Sequence, residues 1–342
     1  MPVRQTVTHA MPVDVTTFRA QRSPEFGNTN PTRMDRAFWS EMVRSGEIAY
    51  AARERFGPDD PSEHRPVWCF HRFGPTRTRL PDGRVVCIGG EHEDHYDPDF
   101  AIYNDVIVIS PDGADVTIYG YPGAVFPPTD FHTATRVGNQ ILIIGGLGYA
   151  ADRGGPVTPV FSLDLDTFAI TRVTTAGVSP SWIFRHRARL TEGGRAVLVW
   201  GGELQPERGP GSAFVENKSA WELSLEEYTW RPATPPPDEP LPQVDWPDSW
   251  TPAATTSDRD YSLNLLLQQA PLGHPMFAAE LRTVASSYWG RALFKLLDGS
   301  SRFVSVELSD CPLKHASLPD PATVYFDRLQ DWLEAERARS NP

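Results

Sequence analysis

The chain has 342 residues, a net charge of -12, and 32 basic residues of which only Lys218, Lys295 and Lys314 are lysines. A pI of about 5.2 argues against a nucleic-acid partner, and no stretch approaches the ~18 apolar residues of a membrane span. The 40% hydrophobic content suits a globular protein with a real core, in two or three domains.

The Arg, Ala, Pro and Asp bias points to a GC-rich bacterial genome. The first twenty residues lack the apolar core of a signal peptide. The expected location is therefore the cytoplasm. Cys69, Cys87 and Cys311 are odd in number and lack metal-type spacing, which predicts buried, reduced thiols.

In chain order, residues 1–29 show no periodicity and read as an extended or poorly ordered arm. Asn30-Pro31 fits a helix start, and Met34, Phe38, Trp39 and Met42 recur at helical spacing until Gly46. A second short helix spans Glu47 to Phe56 and stops at Gly57. Residues 1–66 thus form an arm and a helical hairpin that covers an end or edge of the β region beyond it.

Three copies of one pattern come next, 56 residues apart. An apolar strand runs into a Gly-Gly pair each time: Val85 to Gly90, Ile141 to Gly146 and Val197 to Gly202. A polar strand and a tight turn precede each pair, and a loop and another strand come after it. A fixed period of this size signals a repeat architecture. The unit reads as a four-stranded antiparallel sheet, the blade of a β-propeller.

At these residues the chain resembles the kelch-repeat family, over about residues 67–232. The third unit fits best, with Gly201-Gly202, Trp221 and the closing Trp230. The second has Ile170, and the first Ile118-Tyr119, where the family places Trp. The resemblance implies kelch-type blades in a mainly β fold. It does not imply one function, because kelch propellers include binding scaffolds, oxidases, isomerases and specifier proteins. The scarcity of lysine makes a ubiquitin-ligase adaptor a poorer reading.

Residues 233–256 form a Pro-rich linker; eight prolines fall within 231–256. Its Trp246 and Trp250 are expected to dock on the repeat region. Residues 257–342 read as a small α+β domain. One helix carries Leu263, Leu266, Leu267 and Ala270, and a second carries Phe277, Leu281, Val284 and Tyr288. A hairpin turns at Asp298-Gly299, and a last helix starts near Pro321. This part also resembles, loosely, a small bacterial domain of no established function.

Blade geometry places the candidate site. The start of the first strand and the loop after Gly-Gly open on one propeller face. In the first blade that loop is Glu91 to Asp99, with seven ionisable side chains in nine residues, Tyr96 aside. The ligand-binding candidates are His92, Asp94, His95, Asp97 and Asp99 there, Asp130 and His132 in the second blade, and Arg185, His186 and Arg187 in the third. Imidazoles and carboxylates suit a divalent metal, with His92, His95, His132 and His186 as its candidate ligands. They equally suit acid–base chemistry near neutral pH. Arg185 and Arg187 could hold a ligand carboxylate or phosphate.

Two functions fit these residues. One is a binding or interaction protein whose mouth takes a small molecule or a protein partner. The other is a metal-assisted or acid–base enzyme, a lyase or isomerase. Three blades do not close a propeller, and closure has three routes. These are a degenerate blade from residues 60–75, capping of the edges by the flanks, or a homodimer completing a six-bladed ring. Capping is the expected route.

Overall fold

The computed structural model describes residues 13–57, 66–94, 97–209, 211–237, 240–254, 256–308 and 321–340. Among them the fold is mainly β, with 24 strands and five helices, and no helix is long and apolar enough to cross a membrane. Cys69 and Cys87 are buried free thiols, as expected; Cys311 lies outside the described residues.

The N-terminal part differs from its sequence reading. Residues expected to be an arm hold α1 (Val15–Gln21), started by Asp14, whose side chain accepts from Thr17 N at 2.7 Å. Its Phe18 is fully buried and stacks on Phe56. Asn30-Pro31 does not open a helix. It leads into the edge strand β1 (Thr32–Arg33), a place where proline's missing N–H costs no ladder bond. Next come α2 (Ala37–Ser45) and α3 (Ala49–Phe56). Gly46 ends α2 in the left-handed conformation, donating to Met42 O.

The 56-residue repeat coincides with three sheets whose repeat strands pair antiparallel. The first contains β2 (Thr76–Arg79) and β3 (Val85–Ile88), then, after the small hairpin β4 (Glu91–Asp94) and β5 (Asp97–Ile102), β6 (Val106–Ile109) and β7 (Val116–Gly120). Its order is β1-β7-β6-β3-β2. The second is β8 (Thr133–Val137), β9 (Gln140–Ile144), β10 (Val160–Asp164) and β11 (Ile170–Arg172), each paired with the next.

The third is preceded by β12 (Ala176–Gly177) and β13 (Trp182–Phe184). It contains β14 (Arg187–Leu190), β15 (Ala196–Trp200), β18 (Ala220–Ser224) and β19 (Thr229–Ala233), and β12 adds to its edge parallel to β19. Between β15 and β18, β16 (Glu203–Gln205) and β17 (Val215–Glu216) join β13 in a separate small sheet.

Alternation along the second strands stacks the sheets. Val85 and Cys87 pack with α1, α2, α3 and Phe277, while Val86 and Ile88 face Ile141 and Ile143 of the second sheet. Leu142 and Ile144 turn the other way, onto Val197 and Val199 of the third. Strands buried on both faces need unbroken apolar runs, which is why VVCI and ILII read as they do. In the third sheet, Leu198 and Trp200 point outward beside exposed Arg189 and Glu222. Between Val67 and Phe70 the chain is buried against the first sheet, and Phe73 makes one bridge to Glu91; residues 66–75 form no strand.

The C-terminal sheet has β20 (Trp250–Pro252), β21 (Leu281–Ser287), β22 (Arg291–Leu296), β23 (Phe303–Glu307) and β24 (Thr323–Phe326) in sequential order. Helix α4 (Thr256–Gln269) supplies Leu265 and Leu266 to one face, against Phe294 and Val304. Helix α5 (Leu329–Ser340) supplies Trp332 and Leu333 to the other.

Three expectations for this part change. Leu281 to Ser287 is a strand, not a helix. Pairing with β22 and a bulge between Thr283 and Ala285 produce burial that mimics helical spacing. The last helix starts at Leu329, because Thr323 to Phe326 pair with β23 first. Trp246 and Trp250 pack on Trp332 of α5 and not on the repeat sheets.

Candidate functional site

The residues at the starts of the first strands form a ladder across the three sheets. Gly74, Phe131 and Arg185 occupy equivalent places, and all three adopt positive φ. Phe131 N donates to Gly74 O, and Arg185 N donates to Phe131 O, both at 2.8 Å. Left-handed backbone at Phe131 and Arg185 is costly for residues with a Cβ and persists only where surrounding contacts hold it.

The next residues are His132 and His186. His132 Nε2 is hydrogen-bonded to Thr76 Oγ1 at 2.9 Å, and His186 Nε2 to Thr133 Oγ1 at 2.8 Å. Each imidazole thereby ties one sheet to the sheet before it. Both are buried, and burial lowers both pKa values from 6.5 to about 3. They are neutral at pH 7 and line neither of the two cavities that flank the second sheet. At the ends of the ladder the residue types change. Pro75 stands where the histidines stand, and Arg187 where Thr76 and Thr133 stand.

The Gly-Gly pairs permit this stacking. A Cβ on Gly89 would lie 2.2 Å from Thr129 O, and one on Gly145 would lie 2.2 Å from Ile183 O, each in the next repeat. Gly201 has positive φ, but a Cβ there would meet nothing within 4 Å.

Asp130 is fully buried just before this ladder. Its Oδ1 accepts from Gly148 N at 2.7 Å, and Glu91 lies beside its carboxyl group. Burial raises the Asp130 pKa, against the pull of the Gly148 N–H and the Arg153 and Arg185 charges. Arg185 pairs with Glu203 Oε1 at 3.0 Å and lies over the Phe131 ring. Glu91 and Glu203 each come directly after a Gly-Gly pair, a local signal that the charge-rich composition of the loops obscures. Together with Arg153 they form an acidic and basic rim beside the ladder.

The other expected residues scatter. His92 is buried in β4, near His71, whose pKa burial lowers to about 4. Arg187 lies opposite Trp200 on the outward side of the third sheet. His95 lies outside the described residues, as do the side chains of Asp94, Asp97 and Asp99. The structure therefore brings Asp130 to Arg185 and links His132 to His186 through the ladder. Among the described residues, no three His, Cys, Asp or Glu side chains gather in a way that could hold a metal ion.

A buried knot has no counterpart in the sequence reading. Arg72 makes a two-pronged ion pair with Asp105 at 2.5 and 2.9 Å, and also donates to Cys69 O and Gly89 O. Trp68 Nε1 donates to the same carboxylate, and the guanidinium lies 3.5 Å from the Tyr103 ring centroid. Only the folded chain brings positions 68, 72, 103 and 105 together.

No family model and no curated protein matches this chain.

Proposed function

We propose that residues 67–232 are a kelch-type array of three blades that acts as a binding module, not a catalyst. One observation carries this reading. His132 and His186, the strand-start imidazoles best placed for chemistry, are buried, neutral and engaged with Thr76 and Thr133. A general base needs access to its substrate, and a metal ligand needs a free nitrogen pointing at the ion. Both imidazoles are shut off from solvent, and although their Nδ1 atoms have no hydrogen-bond partner, no three metal-ligating side chains gather there among the described residues. What faces outward beside the ladder is a rim of Glu203 and Arg185, fixed by their own ion pair, which suits a polar small molecule or protein partner.

The acid–base alternative keeps one supporting observation, the raised pKa of Asp130 beside Glu91. An enzyme reading would run through that pair, yet Asp130 is fully buried. Metal analysis of the purified full chain separates the readings. The binding reading expects no stoichiometric transition metal. A stoichiometric metal that is lost in His132→Ala would favour the enzyme.

A further inference from the structure

Two adjoining cavities of about 510 and 150 Å³ form a cleft on the flank of the second sheet, and Gly148, whose N–H binds Asp130, lines the smaller one. They share Pro127, Pro128, Asp152, Phe161 and Arg172, and Trp182 and Arg208 close one end. We propose that this cleft binds a small organic anion, a carboxylate carried on a flat apolar body.

The walls and the charges both point to that class. Proline and aromatic surfaces line the cleft, as in sites that bury the apolar part of a ligand. Arg172 and Arg208 project into it, and neither side chain forms an ion pair or hydrogen bond among the described residues. Unmatched guanidinium forks facing an apolar wall suit a carboxylate, which Arg can hold through two parallel bonds. The Asp152 carboxylate is likewise without a partner among the described residues. Its charge disfavours a polyanion such as a nucleotide and leaves the cleft with a net charge suited to a monoanion. The apolar walls disfavour a bare inorganic anion.

The Gly154-Gly155 pair, which belongs to no repeat, has its role here. A Cβ on Gly154 would lie 2.4 Å from Glu207 O, and one on Gly155 would lie 3.1 Å from Arg208 Nε. Gly155 also donates to Gln205 O and accepts from Trp182 N. The pair lets residues 205–208 lie down on this loop, which sets Arg208 beside Trp182. Trp182 is held in turn by its Nε1 donating to Gly146 O at 2.7 Å.

Calorimetric titration of the full chain with phenylacetate tests the site, with inorganic phosphate and benzylamine as controls. Saturable binding of phenylacetate is expected, with much weaker binding of either control. Arg172→Ala and Arg208→Ala should each weaken it by about tenfold, the value of one charge-assisted hydrogen bond. Both residues are exposed, so the fold should survive, and unchanged circular dichroism checks this. Gly154→Val removes no ligand contact but should weaken binding by displacing Arg208. Absence of saturable phenylacetate binding overturns the proposal, as does binding that both arginine variants retain. Equal binding of benzylamine would remove the anion preference, and equal binding of phosphate the apolar body.

Discussion

Acid should unfold this protein earlier than its carboxylates alone would require, because three histidines held neutral by the fold, His132 and His186 buried and His71 half-buried, must charge. His132 and His186 have folded pKa values lowered to about 3, and His71 to about 4, from 6.5. A depressed folded pKa contributes stability that is present above 6.5 and lost as pH falls toward the folded value. At pH 5.5 each group has cost roughly 1–2 kcal/mol, and the three together about 4 kcal/mol. At pH 4.5 the sum reaches about 8 kcal/mol, comparable to the ~5–15 kcal/mol stability of a typical domain. Carboxylates with lowered pKa values titrate below this window, and Asp130 and Glu47, both raised by burial, oppose the loss. The assay is urea unfolding at pH 7.5, 6.5 and 5.5 for the wild type, His132→Gln and His186→Gln. Glutamine places an amide near the Nε2 position and does not titrate. Each variant should lose roughly 1–2 kcal/mol less than the wild type between pH 7.5 and 5.5. Parallel pH curves for all three proteins would show that these imidazoles are not held neutral, and would refute the reasoning.

Three other outcomes rest on the same packing. Gly145→Val should cost more than ~3 kcal/mol, since backbone strain adds to a clash with Ile183 O, whereas Gly201→Val should cost only the ~1–2 kcal/mol of a left-handed residue. Equal losses in thermal unfolding would contradict this. Arg72→Met should cost about 3–5 kcal/mol by stranding the buried Asp105 charge, and the double variant Arg72→Met/Asp105→Leu should recover much of the loss; a double variant worse than the single would argue otherwise. Asp130→Asn should raise the melting temperature at neutral pH. A raised carboxyl pKa destabilises as pH climbs from 3.8 through the folded value, so the gain should vanish on acidification to that range, and a gain independent of pH would exclude the titration.

The repeats are legible in the sequence because Gly-Gly spacing and two-faced apolar strands are local signals. Val85 to Ile88 and Ile141 to Ile144 have to be buried on both sides, and they are. The shared strand-start position of His132 and His186 is legible too, but their roles are not. Whether His132 faces solvent or Thr76 depends on how adjacent sheets stack, 56 residues apart. The Arg72–Asp105 knot is hidden for the same reason. Leu281 to Ser287 misleads because a bulged strand can place apolar residues three and four apart. The N-terminal arm conceals α1 because one short helix with a single buried side chain, Phe18, has no periodicity to read. Trp246 and Trp250 read as anchors, but nothing local specifies α5 as their surface.

The central claim is that the strand-start histidines join sheets and are not reagents. Imidazole ¹⁵N NMR of the full chain at pH 5.5, with and without Zn²⁺, tests it most directly. His132 and His186 should stay neutral there, and zinc should leave their signals in place. Protonation of both with a pKa near 6.5, or a joint shift on adding zinc, would contradict it.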